Sequence, residues 1–106
     1  MGHKRIGKLV RDKIPCIIEQ QGKTPLIRTM EDNEYYRELK HKLEEELEEF
    51  LASDSIEELC DVQEVINTIL QLKNVSTRKF DAIRLEKQKR NGGFEHKIYL
   101  IDILDE

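Results

Sequence analysis

One stretch of this sequence concentrates carboxylates at helical spacing. Residues 42–61 read KLEEELEEFLASDSIEELCD and carry nine Asp and Glu side chains within two apolar-periodic stretches. On a helical wheel, Glu46 lies about 60° from the apolar stripe of the first stretch, and Glu49 lies one turn further along the same side. In the second stretch, Glu58 falls inside the apolar sector and Asp61 lies at its edge. These four residues are the candidates for chemistry.

A carboxylate in an apolar sector needs a partner. Burying it in its ionised form costs several kcal/mol, unless a proton, a Lys or Arg side chain, or a bound cation compensates for the charge. Two pairs of carboxylates at i,i+3 spacing on two packed helices can converge on one point, as they do in the metal sites of helical bundles. Oxygen ligands without His or Cys favour Mg²⁺, with Mn²⁺ as a second possibility. Each glutamate taken singly is better explained as a solvated residue or as a partner of a helix dipole. The two pairs together predict a metal site formed by Glu46, Glu49, Glu58 and Asp61.

Composition restricts the class of protein. The chain has 106 residues, 38% of them hydrophobic and 38% charged, and its net charge is -4. This length fits a single domain over residues 1–106 with one modest core. The acidic balance argues against a nucleic-acid polymer as partner, because neutralising phosphates requires a basic surface.

Two basic zones flank the acidic centre in the sequence. The first lies within residues 1–13 and the second within residues 84–90. Cationic zones on either side of a metal site are suited to holding a polyphosphate, although ordinary solvated charges explain them equally well. The candidates for phosphate binding are Lys8, Arg11, Lys13, Lys87 and Arg90.

The start of the chain, the length of its apolar runs and its cysteines indicate the cellular location, and its apolar stripes indicate the oligomeric state. No signal-peptide pattern opens the chain, no apolar run approaches membrane-spanning length, and Cys16 and Cys60 form no CxxC pair. We therefore expect a cytoplasmic protein that does not bind membranes. The narrow apolar stripes leave hydrophobic surface for a partner subunit, so we expect a homodimer or a higher homo-oligomer.

Periodicity and capping signals predict four helices. Ser55 with Glu58 has capping-box spacing, and Thr29 with Asp32 has a similar pattern. Two further segments, TPLIRTM at 24–30 and HKIYLIDIL at 96–104, are predicted to form short strands. The helices are expected at about 11–21, from a start at Thr29 to the ASDS stretch, at about 56–73, and from Ser76 or Thr77 to Asn91. The fold class is therefore mostly α, a helical bundle with short N- and C-terminal extended segments.

The acidic pattern resembles that of a known enzyme superfamily. KLEEELEEF followed by EELCDV is similar to the EExxE…ExxD signature of the MazG-like all-α nucleoside triphosphate pyrophosphohydrolases. Glu45, Glu46 and Glu49 match the first half, and Glu58 and Asp61 match the second. KLVRDKIP near the start and KRNGGF at the end of the fourth helix also resemble a small branch of predicted house-cleaning enzymes. The sequence departs from the pattern in the short connection after Glu49 and in Asn91, where this branch carries Arg.

The resemblance implies a fold of the all-α NTP pyrophosphatase type and a Mg²⁺-dependent hydrolysis of a nucleoside triphosphate to its monophosphate and pyrophosphate. Removal of non-standard nucleotides is the implied role. It also implies that Glu46, Glu49, Glu58 and Asp61 hold the metal, and that Glu45, or a ligand carboxylate with a free oxygen, acts as the catalytic base.

Three alternatives stay open. The chain could be a phosphoribosyl-ATP pyrophosphohydrolase, which uses the same chemistry on another nucleotide. It could be a non-catalytic acidic helical module that docks a basic partner. It could also be a relative that keeps the metal site but has lost turnover.

Overall fold

The computed structural model describes residues 6–105 and contains four helices. They are α1 (Ile14–Gln20), α2 (Asp32–Ser53), α3 (Ile56–Leu72) and α4 (Thr77–Asn91). No strand occurs within residues 6–105. The prediction of a mostly α fold is confirmed.

Helices α2 and α3 form a hairpin that contains the core. They are the two longest helices and make the main interhelical contact. The buried aliphatic side chains all come from this pair, namely Leu39 of α2 and Val62, Val65 and Leu70 of α3. Their spacing of three to five residues on α3 places one apolar stripe against α2, as the sequence pattern predicts.

A connection of two residues closes this hairpin. Asp54 adopts a left-handed conformation with φ 57° and donates its N–H to the carbonyl of Phe50 at 2.7 Å. Ser55 then caps α3, because its Oγ accepts a hydrogen bond from the N–H of Glu58 at 3.3 Å. So short a connection makes α2 and α3 antiparallel neighbours, and it fixes the C-terminal part of α2 beside the start of α3.

The remaining elements add little to the core. No residue of α1 or α4 is buried, and among the four helices α4 packs only slightly, against α3. The Cα radius of gyration is 19.3 Å, whereas a compact domain of this length has about 13 Å. The protein is therefore elongated, with extents of 70 × 31 × 24 Å.

Four of the expected local features differ from the structure. Residues 24–30 and 96–104 form no strands, because the described chain offers neither of them a neighbouring strand with which to pair. The N-cap of α2 is Glu31, without a side-chain cap, so Thr29 does not begin that helix. Helix α1 is also shorter than expected, since it begins at Ile14 with Pro15 in its first turn.

Within residues 6–105, none of the helices combines the length and the apolar character that crossing a bilayer requires.

Candidate metal centre

Three carboxylates from two helices meet at the closed end of the hairpin. Glu46 of α2 and Glu58 and Asp61 of α3 each offer an oxygen, and these oxygens lie within 4.8 Å of one another. Antiparallel packing explains the meeting, since Glu46 is close to the end of α2 and Glu58 is in the first turn of α3. Three of the four predicted ligands thus converge.

Glu46 is the most deeply buried member of the group. Its residue exposure is only 7%, and its Oε2 atom has no hydrogen-bond partner among the described residues. Burial raises the pKa of Glu46, and the nearby charges of Glu49 and Asp61 raise it further. The attraction of Lys42 acts in the opposite direction. The site therefore resists a full set of ionised carboxylates unless a cation balances them.

Glu58 has a carboxylate that helix capping leaves free. In a complete capping box its side chain would accept the N–H of Ser55. Here that N–H donates instead to the Oγ of Ser53 at 3.3 Å. The Oε2 of Glu58 is buried without a hydrogen-bond partner among the described residues, like that of Glu46. Two unpartnered buried oxygens at one place are unusual in a folded protein, where such atoms are nearly always satisfied.

Three cationic side chains reach the edge of this group. The Nζ of Lys42 lies 3.5 Å from an oxygen of Glu46 and 3.5 Å from an oxygen of Glu45. The Nζ of Lys8 lies 3.4 Å from the same Glu45 oxygen. Arg11 donates from Nη2 to Oδ1 of Asp61 at 2.6 Å. Lys8 and Arg11, predicted from the sequence as phosphate ligands, therefore lie beside the acidic cluster.

Sequence reasoning missed Lys42. Its spacing of three residues to Glu45 and four to Glu46 places all three on one helix surface, so the i,i+3 and i,i+4 rule would have found it. Its aliphatic stem is mostly buried and its ammonium group bridges the two glutamates. Lys42 reduces the local negative charge, yet it leaves the second oxygen of Glu46 without a partner.

The other predicted residues are placed differently. Glu45 is half-buried and paired with Lys8 and Lys42. Glu49 is exposed and lies outside the converging group, although its charge acts on Glu46. Lys13 is exposed at the start of α1. Lys87 and Arg90 line a shallow groove of about 360 Å³ that is formed by α4 residues alone.

The donor set fits a hard divalent cation. All three converging ligands are carboxylates from α2 and α3, and no His or Cys belongs to the group. Mg²⁺ prefers oxygen ligands and keeps several water molecules, so a three-carboxylate site open on one side suits it. A cation would also satisfy the two buried oxygens that have no hydrogen-bond partner among the described residues.

Comparisons with known proteins give one partial relative. A curated, uncharacterised protein of Mycolicibacterium smegmatis is 48% identical over 50 residues, which are 47% of this chain and 51% of that protein. The matched region thus spans about half of the relative's length. No family model and no solved structure matches the chain.

Proposed function

We propose that this protein is a Mg²⁺-dependent nucleoside triphosphate pyrophosphohydrolase, which cleaves the bond between the α and β phosphates and releases the monophosphate and pyrophosphate. One observation carries the proposal: Glu46 and Glu58, from two helices, bury unpartnered carboxylate oxygens beside Asp61. A structural ion-pair network would leave neither oxygen without a donor.

The proposed metal ligands are Glu46, Glu58 and Asp61, with exposed Glu49 as a fourth that joins on binding. Mg²⁺, or Mn²⁺ in its place, supplies charge neutralisation for the triphosphate and acidifies bound water. Anchoring by two helices holds the ligands in place before substrate arrives, because α2 and α3 are fixed by their common core.

Glu45 is the proposed general base. It lies next to Glu46 in sequence and is half-buried at the edge of the cluster. To accept a proton from the attacking water, it must lose its contacts with Lys8 and Lys42. A bound triphosphate would draw Lys8 and Lys42 away from Glu45, because phosphate oxygens are stronger partners for both ammonium groups.

Phosphate binding is assigned to the basic residues in two groups. Lys8 lies 3.4 Å from an oxygen of Glu45 and Arg11 lies 2.6 Å from an oxygen of Asp61, so a short side-chain movement would bring both to the phosphates of a nucleotide bound beside them. Lys13, Lys87 and Arg90 are proposed as outer contacts. The last two stand on α4, which packs only slightly against the rest of the chain.

The proposal extends to the cellular location, the biological role and the oligomeric state of the protein. The protein acts in the cytoplasm on free nucleotides, removes non-standard ones, and works as a homo-oligomer. The large exposed apolar surface of an elongated single chain supports the assembly.

The test is release of pyrophosphate from a panel of nucleotides, phosphoribosyl-ATP included, with and without Mg²⁺. Glu58→Gln should reduce the rate by about 10²-fold or more, because the amide cannot serve as an anionic ligand. Glu57→Gln is the matched control, since Glu57 is exposed in the same helical turn. Both variants should keep the helical circular dichroism spectrum.

The outcomes separate the candidates. Equal release from wild type and Glu58→Gln would refute the assigned site. No release with any nucleotide, together with a Mg²⁺ response that Glu58→Gln abolishes, would indicate a relative that binds metal but does not turn over. No release and no Mg²⁺ response would favour the interaction module.

A further inference from the structure

The C-terminal segment 98–104 is the most apolar exposed part of the described chain. Six of its seven residues are large hydrophobics, and their exposure ranges from 71% to 88%. They are Ile98, Tyr99, Leu100, Ile101, Ile103 and Leu104. Soluble proteins rarely leave such a run in water, so another surface should cover it.

The backbone of this segment is also unpaired. From residue 98 to residue 105, no backbone–backbone hydrogen bond is made within the described chain. The composition, rich in Ile with a Tyr, is typical of strands. A β-prone segment with free donors and acceptors is a template for pairing with another strand.

Little of this chain can serve as that other strand. The helices use their own backbone groups internally. Residues 24–30 are also without backbone pairing, but Pro25 lacks a donor and Arg28 is held to Glu34 by two hydrogen bonds of 2.7 and 2.6 Å. Residues 6–13 are held at the hairpin by the ion pairs of Lys8 with Glu45 and of Arg11 with Asp61. Among the described residues these segments are poor partners, which favours the same segment of a second copy.

We propose that two copies of this protein associate by antiparallel pairing of their C-terminal segments 98–104. The charges favour the antiparallel direction, because Lys97 lies at one end of the segment and Asp102 and Asp105 lie towards the other. Parallel pairing would bring like charges together.

Symmetry restricts the register. In two antiparallel strands related by a two-fold axis, odd-numbered residues face odd-numbered residues and even-numbered residues face even-numbered ones. Placing Ile101 on the axis pairs the chemically most compatible side chains. Lys97 then faces the partner's Asp105, Ile98 faces the partner's Leu104, and Tyr99 faces the partner's Ile103. Leu100 faces the partner's Asp102, which is the one mismatched pair of this register. The contact is isologous, because the same edge of the segment is used in both copies, so this contact joins two copies only.

The available area is adequate for a dimer. Six large side chains at this exposure present on the order of 600 Å² of apolar surface per copy. Ile83 and Leu85 of α4 and Phe94 after it are also exposed, at 50% or more. Together these residues approach the roughly 800 Å² per partner of a standard interface. A two-stranded ribbon needs such packing on one face, because alone it is only marginally stable.

The inference specifies the homo-oligomer of the proposed function and is independent of the hydrolysis. Its first test is sedimentation equilibrium of the full chain. Wild type should be dimeric, and Leu100→Asn should raise the dimer dissociation constant at least about a hundredfold, since the change occurs twice per dimer. Leu26→Asn is the matched control, because Leu26 is 98% exposed outside the segment and should leave the constant unchanged.

The second test addresses the register. In a Cys16→Ser, Cys60→Ser background, Ile101→Cys should form an interchain disulfide rapidly under mild oxidation, because facing Cα atoms of paired strands are about 5 Å apart. Lys97→Cys should not, since its two copies would lie about 27 Å apart.

Each result decides a distinct point. A monomeric wild type would overturn both this inference and the proposed homo-oligomer. A dimer that Leu100→Asn does not weaken would overturn only the pairing of the segments. Cross-linking at position 97 as fast as at position 101 would overturn the antiparallel register.

Discussion

Glu46 on α2 and Glu58 on α3 each bury an Oε2 atom that no donor of the described residues reaches, and the two side chains belong to one group of converging carboxylates. Such an arrangement destabilises the metal-free protein and favours cation binding. Removal of divalent ions separates this cost from the stability that a bound cation adds.

Glu46→Gln should stabilise the protein when divalent ions are removed. The amide carries no charge, so the free energy of unfolding in EDTA near pH 7.5 should rise by on the order of 1 kcal/mol. Urea unfolding followed by circular dichroism measures it. Exposed Glu48 on the same helix provides the control, and Glu48→Gln should change stability by less than about 0.5 kcal/mol. A less stable Glu46→Gln protein would show that the carboxylate has a structural partner.

The stability of metal-free wild type should depend on pH through Glu46. Its pKa is raised by burial and by Glu49 in the folded state. Between the ordinary carboxyl pKa and this raised value, the folded state retains a proton that the unfolded state has lost. The contribution of Glu46 to the free energy of unfolding is therefore complete at low pH and is lost as the pH rises through that window.

Comparison with Glu46→Gln isolates this contribution. The free energy of unfolding of both proteins is measured in EDTA at several pH values. With increasing pH, wild type should become steadily less stable relative to Glu46→Gln, and the difference should then level off. Mg²⁺ should remove the trend, because a cation favours the ionised carboxylate. A difference independent of pH would contradict the raised pKa.

Arg11→Gln should have opposite effects on metal and on nucleotide. Arg11 donates a hydrogen bond to Oδ1 of Asp61. The substitution therefore frees this ligand oxygen and also removes a positive charge beside the metal site. Mg²⁺ affinity measured by calorimetry should rise several-fold, while affinity for a triphosphate should fall, because a guanidinium contributes strongly to phosphate binding.

The ion pair itself is exposed, so its loss should cost less than about 1 kcal/mol of stability. Arg37→Gln, at an exposed position of α2, should change neither affinity. If Arg11→Gln weakened Mg²⁺ binding, the proposed competition for Asp61 would be wrong.

Ser55→Ala should affect both the fold and the site. Loss of the cap on α3 should cost about 1 kcal/mol, and it should loosen the turn that carries Glu58. Ser76→Ala is the matched control, since Ser76 caps α4 by the same bond to Lys79 and lies away from the carboxylates. Mg²⁺ affinity should fall for the first variant and remain unchanged for the second; an equal fall in both would argue against a local effect.

The helices were predictable because their signals are local. Apolar spacing with the Ser55 cap gives α3 nearly to the residue, and the Ser76 cap with the glycines after Asn91 gives α4, whereas α2 begins three residues after the expected Thr29. The convergence of Glu46, Glu58 and Asp61 was also predictable, since a short connection fixes two amphipathic helices side by side.

The features that were not predicted depend on context. The wheel singles out Glu58 as the misplaced carboxylate, whereas Glu46 is the more buried, because Lys42 and α3 cover it. The strands expected at 24–30 and 96–104 have the right composition but no partner in the described chain. Pairing is a property of two segments, and the sequence of one segment does not reveal it.

The two-residue connection at Asp54 and Ser55 has a kinetic consequence. Every converging ligand lies between residues 46 and 61, so the contacts that assemble the site are close in sequence and close only a small loop. Contacts of low sequence separation form early in folding. A chain emerging from the ribosome therefore exposes all three carboxylates before α4 and the C-terminal segment leave the exit tunnel, so the proposed cation binding can precede the proposed dimerisation.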